Sequence, residues 1–275
     1  MIDLTLPDGL TRSRKDRRRF HFRRTLPLKT LPSLSIPRAA SAATRSLLAM
    51  NALTRCLDTY WSSSIGKKLV VALTGIVLVL FLAGHLSGNL LMFVGRDAFN
   101  EYARFLHSML HGAGIWIARI GLLVALVLHV AATISLTRQN RAARQPYEYK
   151  ATIQASKSSR IMMVTGLTIL AFVIFHLLQF TVRVDAGLAK LGATDPFGMV
   201  VVGFRNPLVV LFYIIAMTLL CSHLSHGVAS IFQTLGLRSK KAQGVIRQFS
   251  LAYTFVIWAG FISVPLAVLA GFLTL

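Results

Sequence analysis

Residues 67–95 read KKLVVALTGIVLVLFLAGHLSGNLLMFVG, and this stretch decides the fold. From Leu69 to Gly95 no Asp, Glu, Lys or Arg interrupts it. A hydrocarbon core about 30 Å thick needs roughly 18 or more such residues to cross as a helix. Backbone amides in lipid have no water to bond, which makes helix the conformation that satisfies them. One ionisable side chain stands inside the run, His85. An ionisable group at that depth is costly, and where it persists it faces the protein interior and serves function.

Four further stretches repeat the pattern, at 115–138, 160–184, 206–236 and 247–274. With 55% hydrophobic and 14% charged residues in 275, the composition lies outside the soluble globular range. The expectation is an all-α integral membrane protein with five transmembrane helices over 67–275. The first four form a bundle in which each carries histidine: His85, His129, His176 and the pair His223 and His226. The fifth has none, and Pro265 predicts a kink in it.

The formal charge of +21 is unevenly placed. Arg138, Arg141, Arg144, Lys150, Lys157 and Arg160 surround the second loop, and Arg238, Lys240, Lys241 and Arg247 the fourth. The first and third loops nearly balance. The positive-inside bias then predicts a cytoplasmic amino terminus, cytoplasmic basic loops and an outer carboxyl terminus; the membrane expected is the bacterial inner (cytoplasmic) one. This orientation signal accounts for the charge without nucleic acid.

Residues 1–49 are rich in Arg, Ser, Pro and Leu without a sustained period and read as a disordered basic tail. Three readings compete: a cytoplasmic tail, a cleaved targeting segment, or a start placed too early, with Met50 as the expected first residue. Asp3, Asp8 and Asp16 weigh against targeting. Residues 50–66, with Leu53, Leu57, Tyr60 and Trp61 at helical spacing, predict an amphipathic helix on the membrane surface.

The histidines fall at two depths. At 1.5 Å per residue, His85 lies ~25 Å from the basic anchor Lys68, and His176 lies ~24 Å from Arg160. On the antiparallel helices, His129 lies ~14 Å from Arg138 and His223 ~15 Å from the polar turn at Gln233. An internal repeat supports the pairing: Thr74-Gly75 precedes His85-Leu86 by the same interval as Thr165-Gly166 precedes His176-Leu177. Two imidazoles at each level suit two b-type haems with axial histidines, an outer haem on His85 and His176 and an inner haem on His129 and His223, with His226 in reserve. Gly75, Gly84, Gly88, Gly121, Gly166 and Gly227 offer flat space on these helices. No CxxCH is present for covalent haem attachment, and Cys56 and Cys221 cannot hold an iron-sulfur cluster. Any electron source must therefore sit on another chain.

The motifs Ser64-Ile65-Gly66-Lys67-Lys68, Gly84-His85-Leu86-Ser87-Gly88-Asn89-Leu90, Phe99-Asn100-Glu101-Tyr102-Ala103, Leu136-Thr137-Arg138-Gln139-Asn140 and His223-Leu224-Ser225-His226-Gly227 complete the pattern. Over residues 50–275 the chain resembles the di-haem cytochrome b558 membrane-anchor subunit of succinate dehydrogenase and fumarate reductase. The resemblance implies two haems b, a FAD-containing dehydrogenase subunit and an iron-sulfur subunit on the cytoplasmic side, and a quinone, menaquinone in expectation, as electron acceptor. It also implies His223 as the fourth ligand, since relatives carry a glycine four residues on, as Gly227 stands here.

Near the outer level Asp97, Glu101, Arg104, His107 and His111 are the candidates for quinone binding and proton handling. One departure is that no Asp or Glu lies in any span, and Cys221 stands where some fumarate-reducing relatives carry a carboxylate. Two alternatives stay open: the cytochrome b subunit of another respiratory dehydrogenase complex, and a haem-free anchor or transporter whose histidines serve packing or proton relay.

Overall fold

The computed structural model describes residues 51, 54–55, 58–143 and 157–275. The tail expected at 1–49 lies outside the described residues, as do Arg144 and Lys150 of the second loop. The unit from Leu53 to Leu275 is helical throughout its described elements. In order these are α1 (Ser64–Leu90), α2 (Arg96–Ser108), α3 (Ala113–Ala142), α4 (Lys157–Leu177), α5 (Ala186–Thr194), α6 (Pro196–Gly203), α7 (Pro207–Thr234) and α8 (Ala242–Leu269). Five of them, α1, α3, α4, α7 and α8, are long and apolar enough to cross a membrane. They match the five stretches expected from sequence.

Local chemistry sets the boundaries. Ser63 Oγ accepts a hydrogen bond from the Gly66 N–H (2.9 Å) and starts α1 at Ser64. The surface-helix segment expected over 50–66 is therefore divided there. Its residues 58–62 are helical, with Tyr60 and Trp61 exposed. Asn206 caps α7 through the Leu208 N–H, and Pro207 occupies the first turn, where its missing N–H is no loss. A π turn, Leu178–Val182, extends α4. α8 runs continuously through the buried Pro265. The segment between the third and fourth spans, anticipated only as a loop, folds into α5 and α6.

α1 packs against α3, α7 and α8, while α7 packs against α4 and α8. On the α1 side of its contact with α3, Thr74 and Gly75 lie against His129, and the residues buried on α3 are the small Ala125 and Ala132. Small residues let helix backbones approach closely where no hydrophobic drive separates protein from lipid. An apolar groove of about 370 Å³ lies between α3 and α4, lined by side chains including Leu126, Val130, Val173 and Ile174. The outward faces carry Leu80, Ile117, Val164, Leu208 and Phe255, each more than half exposed. A belt of this kind suits hydrocarbon rather than water.

The loops at 96–112 and 183–206 meet at one end of the bundle. Arg96 grips Asp195 with two nitrogens, Nε to Oδ1 at 3.2 Å and Nη2 to Oδ2 at 2.5 Å. Asn100 Nδ2 donates to Asp195 Oδ1 (2.8 Å), and Asn100 Oδ1 accepts from the Phe197 N–H (2.8 Å). Burial pushes the Asp195 carboxyl up, but the Arg96 guanidinium, the Asn100 amide and the Gly198 N–H together hold it below its ordinary value.

Candidate functional site

His85 on α1 and His176 on α4 face each other across the bundle. Their ring centroids lie 5.9 Å apart with planes at 78°. Metal–imidazole bonds run to about 2.0–2.1 Å, so two imidazoles bound on opposite sides of one metal have centroids roughly 6 Å apart. Phe81 stacks on His85 (5.2 Å, 13°), Phe261 of α8 covers it at a tilt, and Phe172 stacks on His176 (6.0 Å). Aromatic walls of this kind hold a ring's orientation and keep water away.

The hydrogen bonds decide which nitrogen of His176 carries the proton. Gln179 Nε2 donates to the Gly203 carbonyl (3.1 Å), which turns its Oε1 toward Tyr213. The Tyr213 hydroxyl donates to that oxygen (2.8 Å) and so has no further hydrogen to give. At 3.0 Å from His176 Nδ1 it must accept, placing the imidazole proton on Nδ1 and leaving Nε2 with a free lone pair.

The same logic governs the second level. Thr74 Oγ1 donates to the Val70 carbonyl (2.7 Å) and accepts from His129 Nδ1 at 3.1 Å. Thr165 Oγ1 donates to the Met162 and Ile161 carbonyls (3.1 and 3.2 Å) and lies 3.4 Å from His223 Nδ1. The adjacent glycines keep room for these rings. A Cβ on Gly75 would lie 3.6 Å from His129 Cε1, and one on Gly166 would lie 3.4 Å from His223 Cε1.

This gives the sequence repeat a physical content. Thr74 and His85 are eleven residues apart, as are Thr165 and His176, which is about three helical turns and ~16 Å of rise on one face. Each repeat therefore presents a histidine at one level and supports another helix's histidine at the second. Thr74, Thr165, Tyr213 and Gln179 were not among the candidates from sequence. Threonine in the repeat was the available signal for the first two. For Tyr213 there was only a polar group in an apolar helix.

The remaining candidates separate. His226 Nε2 is 3.4 Å from Ser230 Oγ on its own helix, whereas His223 meets α4. Gly88 lies against the Tyr102 ring, while Gly84, Gly121 and Gly227 have no neighbour where a Cβ would stand. Arg104 and His107 line a cleft of about 410 Å³ between the two loops, together with Asn100 and Arg183. Asp97, Glu101 and His111 are exposed and do not line that cleft.

Among the described residues no group of three or more His, Cys, Asp or Glu side chains gathers to hold a metal ion. A metal held by protein alone commonly takes three or four ligands, whereas a porphyrin supplies four nitrogens and asks only for axial partners. The facing pair His85 and His176, with the Nε2 of His176 free of its proton, fits the second requirement. No family model, no curated protein and no solved structure matches this chain.

Proposed function

We propose that this chain is the di-haem cytochrome b membrane-anchor subunit of a succinate:quinone oxidoreductase, passing electrons between an iron-sulfur subunit and a membrane quinone. The observation that carries the reading is the pair His85 and His176, set 5.9 Å apart from two different membrane-length helices. Support comes from the second pair, His129 and His223, each braced at Nδ1 by a threonine one helix away.

Haem b fits this donor set. His85 and His176 would hold one group and His129 and His223 the other, and the haems would supply one-electron redox chemistry within the membrane. The chain's own part is positional. Tyr213, Thr74 and Thr165 keep the imidazole protons on Nδ1, so that Nε2 points into the bundle as a neutral donor. Phe81, Phe172 and Phe261 exclude water from the His85 level. At the end joined by Arg96 and Asp195, Arg104 and His107 remain the polar candidates for a quinone approaching from the membrane.

In this reading a FAD-containing dehydrogenase subunit and an iron-sulfur subunit dock at the opposite end, where Arg238, Lys240 and Lys241 are exposed. Orientation with that end in the cytoplasm follows the positive-inside bias. The decisive test is a reduced-minus-oxidised visible spectrum of the purified chain, with succinate-dependent quinone reduction measured in membranes with and without the gene. Two b-type haems and loss of activity are expected. No haem bands would reject the reading in favour of an anchor or transporter, and haem without loss of succinate activity would favour another respiratory cytochrome.

A further inference from the structure

Arg183 closes the third span in a left-handed backbone conformation, φ 59° and ψ 61°. Its neighbours Val182 and Val184 are 63% and 70% exposed, apolar groups that belong in lipid. The guanidinium therefore starts at the boundary between hydrocarbon and water. Its side chain lies over Gly192, where a Cβ would come within 2.8 Å of Cδ and Nη1. The Nε atom is buried without a hydrogen-bond partner, the one such side-chain atom among the described residues.

Arg183 itself lines the cleft between the loops. Arg104 lines the cleft from α2, and His107 beside it donates Nδ1–H to the Ala103 carbonyl (2.8 Å), leaving Nε2 free. Thr194 adds a hydroxyl. No residue lining the cleft is acidic. The adjacent carboxylate, Asp195, is committed to Arg96 and Asn100. Two arginines thus line a space of about 410 Å³ that no acidic residue lines. A neutral carbonyl ligand would leave those charges uncompensated, while a phosphate oxyanion matches both their sign and the fork of the guanidinium.

From this we infer that the cleft binds the phosphate of an anionic phospholipid headgroup, with Arg183 and Arg104 as its ligands. The lipid source, rather than free phosphate, follows from the exposed valines on either side of Arg183, which set the site at the level of headgroups. The inference needs only that the chain spans a membrane and does not depend on haem, and it assigns the cleft lined by Arg104 and His107 to lipid instead of the quinone for which they were the polar candidates.

The test is native mass spectrometry of the full chain in detergent, titrated with dioleoylphosphatidylglycerol or, separately, dioleoylphosphatidylcholine. One phosphatidylglycerol should bind in clear preference to phosphatidylcholine. Loss of a charge-assisted hydrogen bond in R183Q or R104Q should weaken it about tenfold. Gly192→Val, which leaves every charge in place but blocks the path of Arg183, should weaken it as well. Arg104 is exposed, so R104Q keeps the test valid if the Arg183 or Gly192 variants do not fold. Inorganic phosphate at millimolar concentration should fail to displace the lipid. Displacement by it would overturn the lipid assignment and leave a site for the free oxyanion. Equal binding of the two lipids, unchanged binding in R104Q, or displacement by a short-chain quinone would overturn the oxyanion site itself.

Discussion

Thr74 Oγ1 lies 3.1 Å from His129 Nδ1, and because its own hydrogen goes to the Val70 carbonyl, the threonine can only accept. A hydroxyl on the first span thus sets the protonation pattern of an imidazole on the second. Outer partners of this kind change metal affinity by about 10–100-fold when removed. On the proposed di-haem function, Thr74→Val, similar in shape but unable to accept, should weaken haem retention at the His129 level by roughly that factor and move its midpoint potential. Redox titration of purified protein reads both. An unchanged potential at both haems would show that the hydroxyl serves packing only.

The two levels should fail separately. His85→Ala or His176→Ala should remove one haem, and His129→Ala or His223→Ala the other, each leaving about half the pyridine haemochrome signal. His226→Ala should leave both, because its Nε2 is directed to Ser230 on the same helix. Loss of a haem in His226→Ala with retention in His223→Ala would reverse the choice between them.

Tyr213 is 6% exposed and joins His176 to Gln179. Tyr213→Phe keeps the ring but leaves a buried Nδ1–H and an amide oxygen without partners, a loss of about 1–3 kcal/mol for each unsatisfied group. The expected result is a lower thermal midpoint and a shifted spectrum for the His85 and His176 level alone. A double-mutant cycle with Gln179→Ala should show coupling, since the two groups share one hydrogen bond.

Gly166 faces His223 with room for a methyl group and little more. Gly166→Ala should be tolerated, and Gly166→Leu should push the imidazole aside and cost the haem at that level. Pigment content per protein, measured beside helical content by circular dichroism, separates displacement from unfolding.

The Arg96–Asp195 clamp has a defined pH sense. The Asp195 carboxyl is held below its ordinary value in the folded protein, so its contribution is complete above the unfolded carboxylate value, about 3.9. It is lost as the pH falls below that value and through the folded one. Asp195→Asn should abolish this acid dependence of thermal stability while leaving neutral-pH helicity intact. An acid profile identical to the parent's would assign the transition to other groups.

The five spans were legible because a single physical requirement, backbone satisfaction in hydrocarbon, writes itself as long uncharged runs such as Leu69–Gly95. The histidines were legible for the complementary reason: a polar group there is conspicuous, and its spacing from a basic anchor gives its depth. α2, α5 and α6 were not foreseen, because their sequence lacks a long period and the boundary between α5 and α6 falls at Asp195, whose partners Arg96 and Asn100 lie nearly a hundred residues away. The supporting hydroxyls were only half visible, as a repeated Thr-Gly with no stated purpose.

Sequence by itself therefore determined the number of crossings, the all-helical fold and the two tiers of imidazole. Which nitrogen of His129 and of His176 is free, which of His223 and His226 meets the neighbouring helix, and which arginine is left with a buried, unpaired donor were decided by tertiary structure alone. Depth along a helix is linear in residue number, and sequence records it. Rotation of one helix about another is fixed by packing between distant segments, such as Gly75 against His129 and Gly166 against His223, and no local pattern records that.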